Sequence, residues 1–163
     1  MIERYTLPKM KHLWSEDHRY EVMLDVELLV CEALAKLGKI PKRAPSHIRR
    51  KARFDPERIR ALEKMTRHDL LAFVLNLQES VGEWGRYLHM GLTSSDVLDT
   101  SLAVLLREAS EILIADMKGF LSRLRRKANQ YKMTPCIGRS HGVHAEPTSF
   151  GLKLAVFYDE GRR

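Results

Sequence analysis

Residues 95–131, SDVLDTSLAVLLREASEILIADMKGFLSRLRRKANQY, decide how this chain folds. Leu98, Leu102, Leu105, Leu106, Ala109, Ile112, Leu113, Phe120, Leu121 and Leu124 recur at helical spacing and mark one apolar stripe. At about 1.5 Å per residue, such a helix would be roughly 55 Å long. A helix of that length belongs to a bundle or a coiled coil. Gly119 lies inside the stretch and weakens the expectation that it is unbroken.

Shorter helices precede it. Residues 1–14 read as a polar and aromatic lead-in containing Pro8. Ser15 is an N-cap signal, followed by Glu16 and Asp17, which suit the positive end of a helix. Val22, Val26, Leu29, Val30, Ala33 and Leu37 continue at helical spacing, and Gly38 with Pro41 stops the run. A short helix is expected over about 46–52. Asp55-Pro56 caps and starts another that runs toward Thr66. A further helix covers roughly 69–81, with Leu70, Phe73, Val74 and Leu77 apolar. Residues 85–96 read as a break, since Gly91, Thr93, Ser94 and Ser95 favour turns and caps. After the long helix come a loop around 135–147 and a last helix from about Thr148. No stretch reads as a strand. The fold class is therefore all-α. Residues 1–92 form a small helical domain and 93–163 begin a long-helix bundle.

Composition narrows the function less. The chain has 163 residues, with 28 Lys+Arg against 21 Asp+Glu and a formal net charge of +7. Such a balance favours anionic partners without choosing among phosphates, carboxylates and nucleic acid. Cys31 and Cys136 are far apart and form no CxxC pattern, which argues against a disulfide framework and a zinc site and fits a reducing cytoplasm. No apolar run is long enough to span a membrane. The last helix carries Phe150, Leu152, Leu154, Ala155, Phe157 and Tyr158, and little chain follows to cover them. The expectation is a piece of a longer protein that self-associates in isolation, because wet apolar stripes are costly to a marginally stable domain.

The chemistry concentrates in the breaks between helices. Residues 138–151, GRSHGVHAEPTSFG, hold His141 and His144 among three glycines and a proline. Glycine and proline keep this stretch out of a helix interior. A histidine on a constrained turn between helices can move a proton near neutral pH. Residues 91–96 read Gly-Leu-Thr-Ser-Ser-Asp and 66–69 read Thr-Arg-His-Asp. Both supply hydroxyl groups, cations and backbone N–H groups at helix starts, where anions bind.

These three segments, together with Ile2-Glu3-Arg4-Tyr5 at the start, resemble the signature segments of the adenylosuccinate lyase family, a branch of the fumarase/aspartase superfamily. The resemblance runs from Met1 to Arg163. It implies a β-elimination that releases fumarate from two succinylated purine-pathway nucleotides, one of them giving AMP. It also implies a cytoplasmic homotetramer with shared active sites, and neither metal nor organic cofactor. By this resemblance His141 is the general acid that protonates the leaving nitrogen, although the family often has threonine where this chain has Ser140. His68 assists proton transfer or orientation. Arg67, His68 and Asp69 meet the nucleotide part, Thr93 and Ser94 hold the succinyl carboxylates, and His89 lies close by. Arg4 and Tyr5 supply a cation for phosphate and an aromatic partner. His144 stays outside the catalytic set. The family also carries a later loop with a Ser-Ser-x-Met-Pro-x-Lys-x-Asn pattern that provides a serine base and a lysine. Nothing in these 163 residues matches it, so the chain alone is expected to be inactive.

Blander readings exist for each segment. Asp69 and the serines at 94 and 95 serve equally as helix caps, and Arg4 and Tyr5 as a loose terminus. Arg49, Arg50, Lys51 and Arg53, with the basic run over 118–132, leave a nucleic-acid-binding module as a rival, although basic runs on helices are usually solvated faces. No helix-turn-helix pattern supports that rival. A structural bundle explains the long helix but not the histidine-bearing loops. Another lyase of the same superfamily is the nearest enzyme alternative, and neither nucleic acid nor membrane is expected as a partner.

Overall fold

The computed structural model describes residues 2–163, with the side chain of Glu3 excepted. Met1, the first residue of the span over which the resemblance runs, lies outside the described residues. Helix α1 spans Pro8–Leu13, α2 Glu16–Lys36, α3 Ala44–Lys51, α4 Pro56–Thr66, α5 Asp69–Val81 and α6 Ser94–Gln130. Strands β1 (Pro135–Ser140) and β2 (Val143–Ser149) follow, and α7 runs from Phe150 to Arg162. Short 3-10 turns occupy Glu3–Tyr5 and Gly82–Tyr87. The chain is all-α apart from the one hairpin. It divides into two compact units, the first ending at Ala109 and the second running from Ser110 to Arg163.

The caps fall where side-chain chemistry puts them. Ser15 Oγ accepts the His18 N–H at 3.2 Å and starts α2. Asp55 Oδ1 accepts the N–H of Glu57 at 2.9 Å, with Pro56 in the first helical turn of α4. The core of the first unit is built from the apolar faces of α2, α3, α4 and α5. Met23, Ile48, Ile59, Leu70, Phe73 and Leu77 are its largest sealed apolar side chains. Tyr20 stacks on Phe73 with ring centres 5.4 Å apart. The expected lead-in over 1–14 contains a helix, α1, which starts at Pro8 because proline is pre-organised for a first helical turn.

In the second unit, α6 runs through Gly119 without a break. A Cβ there would meet only the Arg123 guanidinium at 3.4 Å, so the glycine is no packing requirement. One missing side chain costs about 1 kcal/mol in helix propensity, which a helix of 37 residues carries. The loop expected over 135–147 is instead an antiparallel hairpin, with Ser140 paired to Val143 and Cys136 to Thr148. His141 (φ 50°) and Gly142 (φ 75°) form its two-residue turn. Positive φ at both central positions matches the twist of the flanking strands, and histidine tolerates that region better than most residues. Pro147 sits opposite Ile137, tolerable because each strand of a two-stranded ribbon is an edge. The reading of glycine and proline as breakers was right about helix, but it overlooked their use in a hairpin. Gly151 packs so closely on α6 that a Cβ would strike the carbonyl of Ala128 and the backbone of Lys132. Its N–H donates to the Tyr131 carbonyl at 2.9 Å, tying α7 to the end of α6.

Candidate functional site

His68 is the N-cap of α5. Its Nδ1 accepts the N–H of Leu71 at 3.3 Å, which replaces the usual capping oxygen. A nitrogen that accepts carries no hydrogen, so the hydrogen of the neutral ring sits on Nε2. Nε2 points at Ser94 Oγ, 3.3 Å away, at the first residue of α6. The Asp69 carboxylate is 3.6 Å from His68 Nδ1, too far for a hydrogen bond. It instead accepts the Leu70 N–H at 2.7 Å and helps cap α5. Two candidate segments far apart in sequence, 66–69 and 91–96, therefore meet through His68 and Ser94.

Thr93 prepares that meeting. Its N–H donates to Asp96 Oδ2 at 2.8 Å, and the Asp96 N–H returns to the Thr93 carbonyl at 3.1 Å. Asp96 thus secures the start of α6 and leaves the Ser94 hydroxyl to face His68. Arg67 ends α4 with φ 55°, donating its N–H to the Glu63 carbonyl at 2.8 Å. Beside the pair, Asp69 also lines a cavity of about 550 Å³ in the first unit, with Trp14, Ser15, Arg19 and Ser101 on its wall.

His89 is held differently. Glu27, on α2, is fully buried, and its two carboxylate oxygens accept the backbone N–H and the Nδ1 of His89, each at 2.7 Å. Nearby, Cys31 donates from Sγ to the Tyr87 carbonyl at 3.3 Å. Burial, and then the charges of Glu27 and Glu32, push its thiol up to about 11, so this cysteine is an inert core group. Glu27 escaped the sequence reading. Its signal was present: Tyr20, Met23, Glu27 and Cys31 share one helical face, and a carboxylate on an otherwise apolar face needs a partner.

His141 lies in the second unit, exposed at the tip of the hairpin. His144 sits on β2 opposite Arg139. Arg4 and Tyr5 meet each other, the guanidinium 4.8 Å from the ring centre, and Tyr5 is exposed. Among the described residues, the non-glycine positions with positive φ are Arg67, His89 and His141. All three are candidate site residues. Left-handed backbone at non-glycine residues costs of order 1–3 kcal/mol and clusters at functional sites.

A family model described as Lyase matches residues 3–163. The chain belongs to this lyase family. Among curated relatives, the adenylosuccinate lyase of Bacillus subtilis (strain 168) is 48% identical over 163 residues, covering 100% of this chain and 38% of that protein. The adenylosuccinate lyase of Aquifex aeolicus (strain VF5) is 52% identical over 166 residues, again with 100% and 38% covered. This chain thus spans about two fifths of the length of the curated relatives it matches. Among solved structures, a fumarate lyase from a Mesorhizobium species superposes with a TM-score of 0.89 at 30% identity, covering 95% of this chain and 37% of that one. The 3-carboxy-cis,cis-muconate lactonizing enzyme from Pseudomonas putida gives 0.89 at 30% identity, with 96% and 37% covered.

Proposed function

We propose that the protein carrying this chain is an adenylosuccinate lyase. It would cleave a carbon–nitrogen bond by β-elimination and release fumarate from adenylosuccinate, giving AMP, and from the succinylated aminoimidazole carboxamide ribotide. The observation that carries this reading is identity of 48–52% with adenylosuccinate lyases over the whole chain, against 30% with the muconate and fumarate lyase structures.

In this reading His141 protonates the leaving nitrogen. His68 offers Nε2–H, a donor met by Ser94 Oγ at 3.3 Å in the free chain, and orients the substrate or passes on a proton. Thr93 and Ser94 receive the succinyl carboxylates at the N-terminus of α6, where backbone N–H groups favour anions. Arg67, His68 and Asp69 bind the nucleotide part, and His89 contributes to substrate binding close to Thr93 and Ser94. Arg4 supplies a cation for the phosphate and Tyr5 an aromatic partner. The general base is the serine of a Ser-Ser-x-Met-Pro-x-Lys-x-Asn loop, a pattern these 163 residues do not contain. The domain boundary falls between Leu92 and Thr93, the working assembly is a cytoplasmic homotetramer with shared sites, and no cofactor is needed.

The nucleic-acid reading loses one of its supports. Arg49 is engaged with Glu32 at 2.9 Å and lies 3.9 Å from Asp25, so its charge is answered within the fold. The test is fumarate formation by the whole purified protein, followed at 240 nm or by coupled assay, with adenylosuccinate and other succinylated amines offered in parallel. Turnover of adenylosuccinate is expected. Turnover of argininosuccinate in its place would move the protein to another branch of the family.

A further inference from the structure

We infer that Glu27 is a positioning residue for the lyase reaction, acting through His89. The inference rests on the reading that His89 meets the substrate. Glu27 sits in the middle of α2 with no exposed surface, among Met23, Leu28 and Cys31. A carboxylate buried to this degree is retained only if its oxygens are answered. Both are answered by one residue. Oε2 takes the His89 backbone N–H and Oε1 faces His89 Nδ1, each at 2.7 Å, within the range of charge-assisted bonds.

That clasp has two consequences. The first concerns the backbone. His89 stands at φ 58°, between the turn that ends at Tyr87 and Gly91 at φ 78°. Its N–H has no helical or strand partner, and Glu27 supplies one while holding the left-handed conformation. The second concerns the ring. A carboxylate accepts and does not donate, so Nδ1 must carry the hydrogen. Nε2 is then the nitrogen left for a ligand, and the side chain is 26% exposed, enough for one edge of the ring to be reached. Histidines that bind metals are fixed in the same way, by a carboxylate on the far nitrogen that selects tautomer and ring orientation. His68 is fixed through the same nitrogen, Nδ1, but by an N–H donor rather than a carboxylate, so Nε2 carries the hydrogen on His68 and a lone pair on His89.

The test uses the whole protein and a cycle of E27Q, H89A and the double variant. Glutamine keeps the shape but puts an NH2 group against one of the two N–H donors. E27Q is expected to lower kcat/KM by about 10–100-fold, the range seen when orienting partners of bound histidines are removed. In the H89A background the same change should cost less than about twofold, because a residue that acts through His89 has nothing left to position. A full loss from E27Q in both backgrounds, or no loss in either, overturns the inference. Labelling the histidines with 15N provides a readout independent of turnover and of how well E27Q folds. The His89 ring in the unsubstituted protein should carry its hydrogen on Nδ1 near neutral pH, and a hydrogen on Nε2 instead would refute the clasp. If Nδ1 is protonated but H89A leaves turnover intact, the reading of His89 as a substrate contact fails, and Glu27 is reduced to a contact of the fold.

Discussion

The candidate histidines of the first unit, His68 and His89, and His141 of the second are prepared for work in different ways. His68 and His89 are each fixed by two hydrogen bonds that the folded chain supplies, through Leu71 and Ser94 for one and through Glu27 for the other. His141 has a defined backbone, set by a two-residue turn, and an exposed ring. The first unit thus holds ring nitrogens in chosen directions before any ligand arrives, whereas the second presents a ring on a stiff stem. A substitution at His141 should therefore affect chemistry without affecting the fold, and substitutions under His68 or His89 should affect both.

The largest effect expected from that contrast is H141A. In the whole protein it should lower kcat by about 10²–10⁴-fold, the usual worth of a general acid. In this chain it should leave the urea midpoint within experimental scatter, because an exposed side chain at a turn has little packing to lose. A large fall in stability with modest loss of turnover would mean that the ring of His141 is structural and that the acid is elsewhere.

The two units also differ in what their aromatic residues touch, and a matched pair of substitutions sharpens this. Phe73 is fully buried and stacked against Tyr20. Phe73→Ala should destabilise the first unit by about 3–5 kcal/mol, the range for emptying a packed aromatic site. Phe157, on α7, is 52% exposed. Phe157→Ala should change the chain's stability by no more than about 0.5 kcal/mol in urea unfolding. It should instead weaken self-association in sedimentation, since Leu113, Met117, Phe120, Leu152 and Val156 are likewise exposed in the second unit. Exposed apolar side chains in that number mark the second unit as the one that associates. A monomer at all concentrations, with or without Phe157, would break that part of the comparison.

Most of the fold was legible because helices announce themselves locally. The 3.6-residue period located α2, α5 and α6, and Ser15 and Asp55 fixed two starts through caps the structure reproduces. The hairpin was not legible by the same means. Its strands carry no clean alternation, and its identity lies in the φ angles of His141 and Gly142, which periodicity does not report. The candidate site divides along the same line. Motif segments brought His68 and Ser94 forward, and geometry then joined them. Glu27 belongs to no motif; it became visible only once the chain from α2 and the turn at His89 were seen to meet. Long-range partners of this sort are fixed by tertiary packing, so a reading that moves along the sequence finds the histidine and misses the carboxylate that orients it.

The smallest effect expected is one of pH, and it probes a histidine of the first unit outside the candidate site. His18, on α2, places Nε2 2.8 Å from Glu108 of α6 and Nδ1 3.1 Å from Glu21. His12 lies against its ring at 5.1 Å. The hydrogen bond to Glu108 raises the imidazole above its ordinary value of 6.5, desolvation opposes this, and Glu21 adds to the rise. The folded state therefore binds this proton more tightly than the unfolded chain does. The resulting stabilisation is complete below about pH 6.5 and is lost as pH rises through the higher folded value. Unfolding in urea between pH 5.5 and 8.5 should show stability declining across the upper part of that window. H18Q should flatten the decline, because glutamine can keep one hydrogen bond but binds no proton. An unchanged slope in H18Q would assign the decline to other groups and leave His18 a neutral packing residue between α2 and the early turns of α6.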